Sequence, residues 1–191
     1  RNYRFRHAKG ELDRWILQLA AQRRRSRDRH DDLLQMLVEA RDEESGEGMD
    51  DQQLVDEVIT LLVAGHETTA DALSWTWSLL ARHPECRERL EEEADRVLNG
   101  RSATFEDLGN LHYALMVFQE AMRLYPPIWA MAREALCDDE VAGFPIPARS
   151  TVMIPPYLTH RHPAFWPEAE KFDPERFAPG KSLPHRFAYF P

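Results

Sequence analysis

The sequence predicts a mainly α fold with a small β component. Three observations carry this. Twelve of the thirteen prolines lie after residue 125, so the first two-thirds of the chain can be helical almost throughout. Apolar residues recur at helical spacing over that stretch. The proline-rich last third alternates short β-type runs with turn residues. With 43% hydrophobic and 30% charged residues, a packed core is feasible and wholesale disorder is excluded.

The elements follow in order. Residues 8–25 place Leu12, Trp15, Ile16 and Leu19 on one helical stripe, and residues 31–40 repeat the pattern with Leu33, Leu34, Leu37 and Val38. Glu43–Gly48 is a polar loop with two glycines. A long helix is expected over about 50–82, with Asp50 or Asp51 at its dipole-favoured start. Between Val58 and Ala81 its only charged residues other than His are Glu67 and Asp71. A helix so apolar is expected to be surrounded by protein on most sides. Pro84 opens the next helix and Asn99-Gly100 closes it. Residues 111–125 form another helix, apolar on nearly every face. After Pro126-Pro127, strands are expected around 131–136, 140–146 and 151–154, then a turn-rich meander over 156–187.

Charge and cysteine usage exclude several classes. The net charge of −9 argues against a nucleic-acid binder. Ten basic and three acidic residues occupy 1–30, against eleven acidic and one basic over 31–57. Two readings stand for this contrast, solvated faces or a partner-docking patch. Cys86 and Cys137 make no disulfide framework and no Cys-x-x-Cys pair. No apolar run reaches the roughly 18–20 residues of a membrane span.

Chemistry concentrates in three places. The first is Ala64-Gly65-His66-Glu67-Thr68-Thr69 in the long helix. Gly65 costs a helix interior up to ~1 kcal/mol against Ala, acceptable where something flat or bulky approaches the backbone. The Thr68 hydroxyl can bond back to the Ala64 carbonyl and loosen the helix. Glu67, an acid in an apolar stretch, needs a partner, water or a proton route. The segment reads either as a helix kink with a satisfied Glu or as an acid–alcohol pair delivering protons to a ligand. A His-Glu-x-x-His zinc site is rejected, because Ala70 stands where the second His is required. The second place is Glu120-x-x-Arg123, an i, i+3 pair among Phe118, Ala121, Met122 and Leu124. The third is Pro174-Glu175-Arg176-Phe177, where Arg176 is a candidate third member for that pair. Gly180-Lys181-Ser182 is not a phosphate loop, since Glu175 replaces the required Gly.

Together these features resemble the cytochrome P-450 family of heme-thiolate monooxygenases. Ala64-Gly65-x-Glu67-Thr68-Thr69 resembles its oxygen-activating motif, Glu120-x-x-Arg123 its Glu-x-x-Arg motif, and Pro174-Glu175-Arg176-Phe177 its Arg-bearing meander motif. The resemblance implies one P-450-like domain, represented over 1–191 in part: a helical portion, 1–125, and a strand-and-meander portion, 126–191. It implies a heme cofactor, with Ala64 and Gly65 over the porphyrin and Arg133 binding a propionate. Thr68 would hold dioxygen or a water beside it, and Glu67 would relay protons. Ile128, Trp129 and Ala130 would line the substrate pocket. Glu120, Arg123 and Arg176 would lock the fold.

The family's Phe-x-x-Gly-x-Arg-x-Cys loop, which supplies the thiolate metal ligand, would begin where the chain reaches Phe190-Pro191. The axial Cys is therefore expected beyond Pro191, and neither Cys86 nor Cys137 replaces it by motif. The implied activity is insertion of one oxygen atom from dioxygen into an organic, apolar substrate. Its partners would be dioxygen, that substrate and an electron-donor protein, a ferredoxin, flavodoxin or reductase. Two alternatives stay open: an inert segment unable to ligate heme, or a heme-thiolate isomerase or dehydratase. A bacterial, cytoplasmic setting is expected, with an anchor upstream left open.

Overall fold

The computed structural model describes residues 2–26, 28, 30–183 and 185–191. Arg1, Arg27 and Arg29 of the basic run and Pro184 of the meander lie outside the described residues. The chain forms two compact units, one up to Glu67 and one from Thr68.

The first unit contains α1 (Asn2–Arg25), α2 (Leu33–Glu39) and the first half of α3 (Asp51–Arg82). The apolar stripe of α1 buries Ile16 and Ala20. Asp32 caps α2 by accepting from the Gln35 amide, and Arg23 clamps the same carboxylate at 3.0 and 2.6 Å. That pairing holds the Asp32 carboxyl below its ordinary range. In the polar loop, Asp42 accepts from the Glu44 and Ser45 amides, and Arg41 bridges antiparallel to Gly48. Asp50 caps α3 through the Gln53 amide at 2.7 Å.

The middle of α3 departs from expectation. Leu61, Leu62 and Val63 are 42%, 51% and 53% exposed. Within this chain α3 buries only Leu54 and Val55 near its start and Ala72, Thr76, Leu79 and Leu80 in its second half. The apolar composition of the central turns exceeds what these neighbours cover.

The second unit holds the rest of α3, α4 (Pro84–Leu98) and α5 (His112–Leu124). Asn99 ends α4 in the left-handed conformation, at φ 48°, with its amide on the Asp95 carbonyl. A 3₁₀ turn, Phe105–Asn110, follows, closed by a capping box between Thr104 and Asp107. Leu79, Leu80, Met116, Val117, Ala121, Leu124 and Phe172 form the apolar core, so α5 is its central element. The Trp75 and Tyr125 rings stack at 4.0 Å, joining α3 to the end of α5.

The β component comprises two small antiparallel ribbons. β1 (Met131–Glu134) pairs with β4 (Thr151–Ile154), placing Arg133 opposite Val152. The single strand expected over 140–146 is instead a hairpin, β2 (Asp139–Val141) with β3 (Phe144–Ile146). Ala142-Gly143 turns it, both at positive φ (51° and 84°). Only the Gly of that pair announces such a turn, which is why the run reads as one strand. The meander contains a short helix, α6 (Pro156–Thr159), and a 3₁₀ turn, Pro174–Phe177. Among the described residues no helix is long and apolar enough to cross a membrane.

Candidate functional site

An apolar hollow of about 320 Å³ opens in the second unit. Residues four apart share a helix face. Thr68 and Ala72, with Thr69, therefore present one side of α3 to it, and Phe118 and Met122 one side of α5. Pro127, Ile128 and Pro191 complete the wall. Thr68 is half-buried and lines the hollow, which puts a hydroxyl-bearing residue beside a greasy cavity. A larger hollow of about 370 Å³ beside Arg41 and Glu47 is polar, and its Asp42 already serves its own loop's amides.

The other residues singled out in the sequence distribute unevenly. Ile128 lines the hollow; Trp129 and Ala130 do not. The Trp129 ring is 66% exposed, while its carbonyl accepts from the Tyr157 amide at 3.3 Å. Ala64, Gly65 and Glu67 belong to the first unit and are exposed. A Cβ built at Gly65 would meet nothing within 4 Å, so the space beside that backbone is open. Arg133 lies at the surface on β1, with Nη1 donating to the Ala132 carbonyl at 2.8 Å.

Glu120 and Arg123 of α5 come together with Arg176 of the meander. Arg123 Nε and Nη2 donate to the two Glu120 oxygens at 2.7 and 2.8 Å, a bidentate fork. Arg123 Nη1 donates to the His160 carbonyl at 2.8 Å, and Nη2 also to the Lys171 carbonyl at 3.2 Å. The Asp173 amide donates to Glu120 at 2.9 Å, and Arg176 Nε approaches the same carboxylate at 3.4 Å. Burial pushes the Glu120 carboxyl up, while Arg123, the Asp173 amide and Arg176 pull it back. One helix is thereby tied to three parts of the meander. Such a pair is tolerated in a core only because these extra bonds offset its desolvation.

Sequence reasoning missed three residues of this region. His160 is wholly buried; its Nε2 accepts from the Phe190 amide at 3.0 Å and its carbonyl accepts from Arg123. Glu93 on α4 accepts from the Tyr113 and Ala114 amides at 2.8 and 2.9 Å, capping the start of α5 from another helix. Trp166 donates to the Ala188 carbonyl at 3.2 Å and lies under the Arg123 guanidinium. Their partners lie 20 to 37 residues away, beyond any local pattern. The one faint signal is polarity: Glu93 and His160 are polar side chains that the fold buries.

The lining of the hollow suits one face of an apolar macrocycle: methyl, ring and thioether groups, with the two threonines Thr68 and Thr69 as its hydroxyl-bearing residues. It contains no thiolate. Cys86 packs in the apolar core, and burial pushes its thiol up, away from the metal-ligating form. Cys137 is exposed beyond β1. The residues present thus fit an apolar macrocycle such as heme, with the metal ligand not among the described residues.

The sequence pattern of the family described as Cytochrome P450 matches residues 2–191. Cyclooctat-9-en-7-ol 5-monooxygenase of Streptomyces melanosporofaciens is 41% identical over 92% of this chain and 38% of its own length. Pentalenene oxygenase of Streptomyces avermitilis is 37% identical over 95% of this chain and 40% of its own. The solved structure of retinoic acid-bound cyanobacterial CYP120A1 superposes with a TM-score of 0.87 at 34% identity. It covers 96% of this chain and 42% of that one. The chain spans about two-fifths of the length of these relatives. A match running from the second residue to the last, on a fold that superposes as closely, means that the chain belongs to the cytochrome P450 family.

Proposed function

We propose that the protein this chain represents is a heme-thiolate monooxygenase inserting one oxygen atom from dioxygen into an apolar organic substrate. The observation that carries the reading is the hollow, where the Thr68 hydroxyl meets a wall built from Phe118, Met122 and Ile128. The family's prosthetic group is heme, which with a thiolate ligand supplies the oxygen-activating redox chemistry. In this reading the thiolate comes from sequence following Pro191, and both units belong to one domain.

This chain's residues then divide the remaining tasks. Thr68 would hold a proton at Oγ1, where it can orient dioxygen or a water. Glu67, exposed one residue earlier, exchanges protons with solvent. Phe118, Met122 and Ile128 exclude water and contact apolar substrate. Trp129 and Ala130, outside the hollow, act in the same segment as its outer edge. Ala64 and Gly65 would face the cofactor, and the space beside the Gly65 backbone is open. Arg133 offers a guanidinium fork to a carboxylate of the cofactor. The Glu120–Arg123–Arg176 cluster holds the fold and touches no reactant. An electron-donor protein, dioxygen and a cytoplasmic setting belong to the same proposal.

The test uses the complete protein, loaded with heme. A thiolate-type Soret band in the carbon monoxide difference spectrum is expected. Thr68→Ala is then expected to keep that band while electron consumption outruns product formation. Unchanged coupling in the variant would overturn the oxygen-activating role. Turnover that needs no external electrons would favour an isomerase or dehydratase instead.

A further inference from the structure

We propose that His160 is a positioning residue: a neutral imidazole, protonated on Nδ1, that clasps the Ala188–Phe190 segment to the Glu120–Arg123 pair. The geometry dictates the tautomer. A backbone N–H can only donate, so the Nε2 that faces the Phe190 amide at 3.0 Å must present its lone pair. A neutral ring then carries its proton on Nδ1. No described residue completes a hydrogen bond to Nδ1, while the backbone carbonyls of Arg123 and Met122 favour a proton on the ring. Those carbonyls belong to the last turn of α5, whose acceptors lack intrahelical partners. An imidazole places a donor and an acceptor on opposite sides of one rigid ring, and the acceptor side is the one that takes the Phe190 amide.

The surroundings fix the ring. It has no exposure, stacks on Tyr189 at 5.3 Å and meets Phe190 edge-on at 5.3 Å. Two side-chain hydrogen bonds also hold the same segment, Trp166 Nε1 to the Ala188 carbonyl and Tyr189 Oη to the Gln119 carbonyl, both 3.2 Å. The His160 bond is the one that reaches Phe190, next to Pro191. Pro191 has no N–H and lines the hollow with Thr68. The clasp therefore sets where the chain enters the site. Its significance for a metal-ligating loop rests on the proposed function; the clasp itself does not.

Two measurements on this protein test the clasp at neutral pH. Imidazole nitrogen couplings in a ¹⁵N-labelled sample are expected to show the Nδ1–H form at His160. Amide hydrogen exchange is expected to show Phe190 protected. His160→Phe keeps a ring without an acceptor and should speed Phe190 exchange about tenfold, the worth of one buried hydrogen bond. The Tyr113 and Ala114 amides, held by Glu93, should not change. His160→Gln keeps a donor and an acceptor and should restore most of the protection. An Nε2–H ring or an imidazolium, or equal exchange in the two variants, would overturn the proposal. Should His160→Phe fail to fold, the tautomer of the unmodified protein decides alone. A missing thiolate-type Soret band with tautomer and protection intact would instead sink the functional reading and leave the clasp standing.

Discussion

Arg123 grips both oxygens of Glu120 from one turn along the same helix, and neither side chain has any exposed surface. The pair is also the anchor for three stretches of meander, through the His160 and Lys171 carbonyls and the Asp173 amide. It is a structural joint, not an isolated ion pair.

Removing one partner leaves a buried charge without its counterpart. Arg123→Ala or Glu120→Ala is therefore expected to destabilise by about 3–5 kcal/mol, enough to unfold many domains. Arg123→Lys should fare little better, because an ammonium cannot bridge both carboxylate oxygens and the two carbonyls together. Urea titrations compare the variants. A loss below about 1 kcal/mol for Arg123→Ala would show the joint to be dispensable.

The Glu93 carboxylate serves two amides that α5 itself cannot satisfy. Glu93→Ala is expected to cost about 1–3 kcal/mol, because both donors stay buried and unmade. Glu93→Gln, which retains one acceptor oxygen, should cost less. Exchange at Tyr113 and Ala114 reports the effect directly, with Phe190 as the control.

Acid should loosen the fold through His160. Burial is the main cause that lowers its pKa from 6.5 to about 4, and Arg123 and Arg161 add repulsion. The unfolded ring takes a proton below about 6.5 while the folded ring refuses it, so unfolding binds protons. The stabilisation is complete above pH 6.5 and is lost as pH falls toward 4. Between pH 7 and 5 this amounts to about 2 kcal/mol. Urea midpoints at the two pH values should differ accordingly, and His160→Gln should shrink the difference. An unchanged difference would assign the acid sensitivity elsewhere.

Ala142 occupies a left-handed turn position, φ 51°, that a Cβ disfavours. Ala142→Asn should stabilise the β2–β3 hairpin by about 0.5–1 kcal/mol, since Asn-Gly suits two positive φ angles in succession. Amide exchange across Asp139–Ile146 measures it. Faster exchange would mean that the turn relaxes some other way.

Helical periodicity, the Pro84 start and the Asn99-Gly100 stop were enough to place the later helices within two residues, because these signals act locally, whereas α1 starts at Asn2, six residues before its apolar stripe announces it. The Glu120-x-x-Arg123 spacing made the buried fork legible, since an i, i+3 relation fixes which side chains can meet. The hairpin turn was not legible, because its first residue is an Ala that adopts a Gly-like angle under the pull of strand pairing. The exposed middle of α3 was not legible either. Composition states how much apolar surface a helix carries, and only packing states how much of it this chain covers.

The sequence by itself determined the elements, their order, the motif residues and the family to which they point. The tertiary structure alone decided that Thr68 and Ile128 share a cavity with Pro191, while Trp129 and Ala130 stand outside it. It alone decided that His160 reaches Phe190 and that Glu93 caps a helix not its own. Propensity and capping act within a few residues of one another. Burial and long-range hydrogen bonds depend on which distant backbone groups the completed fold leaves in need of a partner.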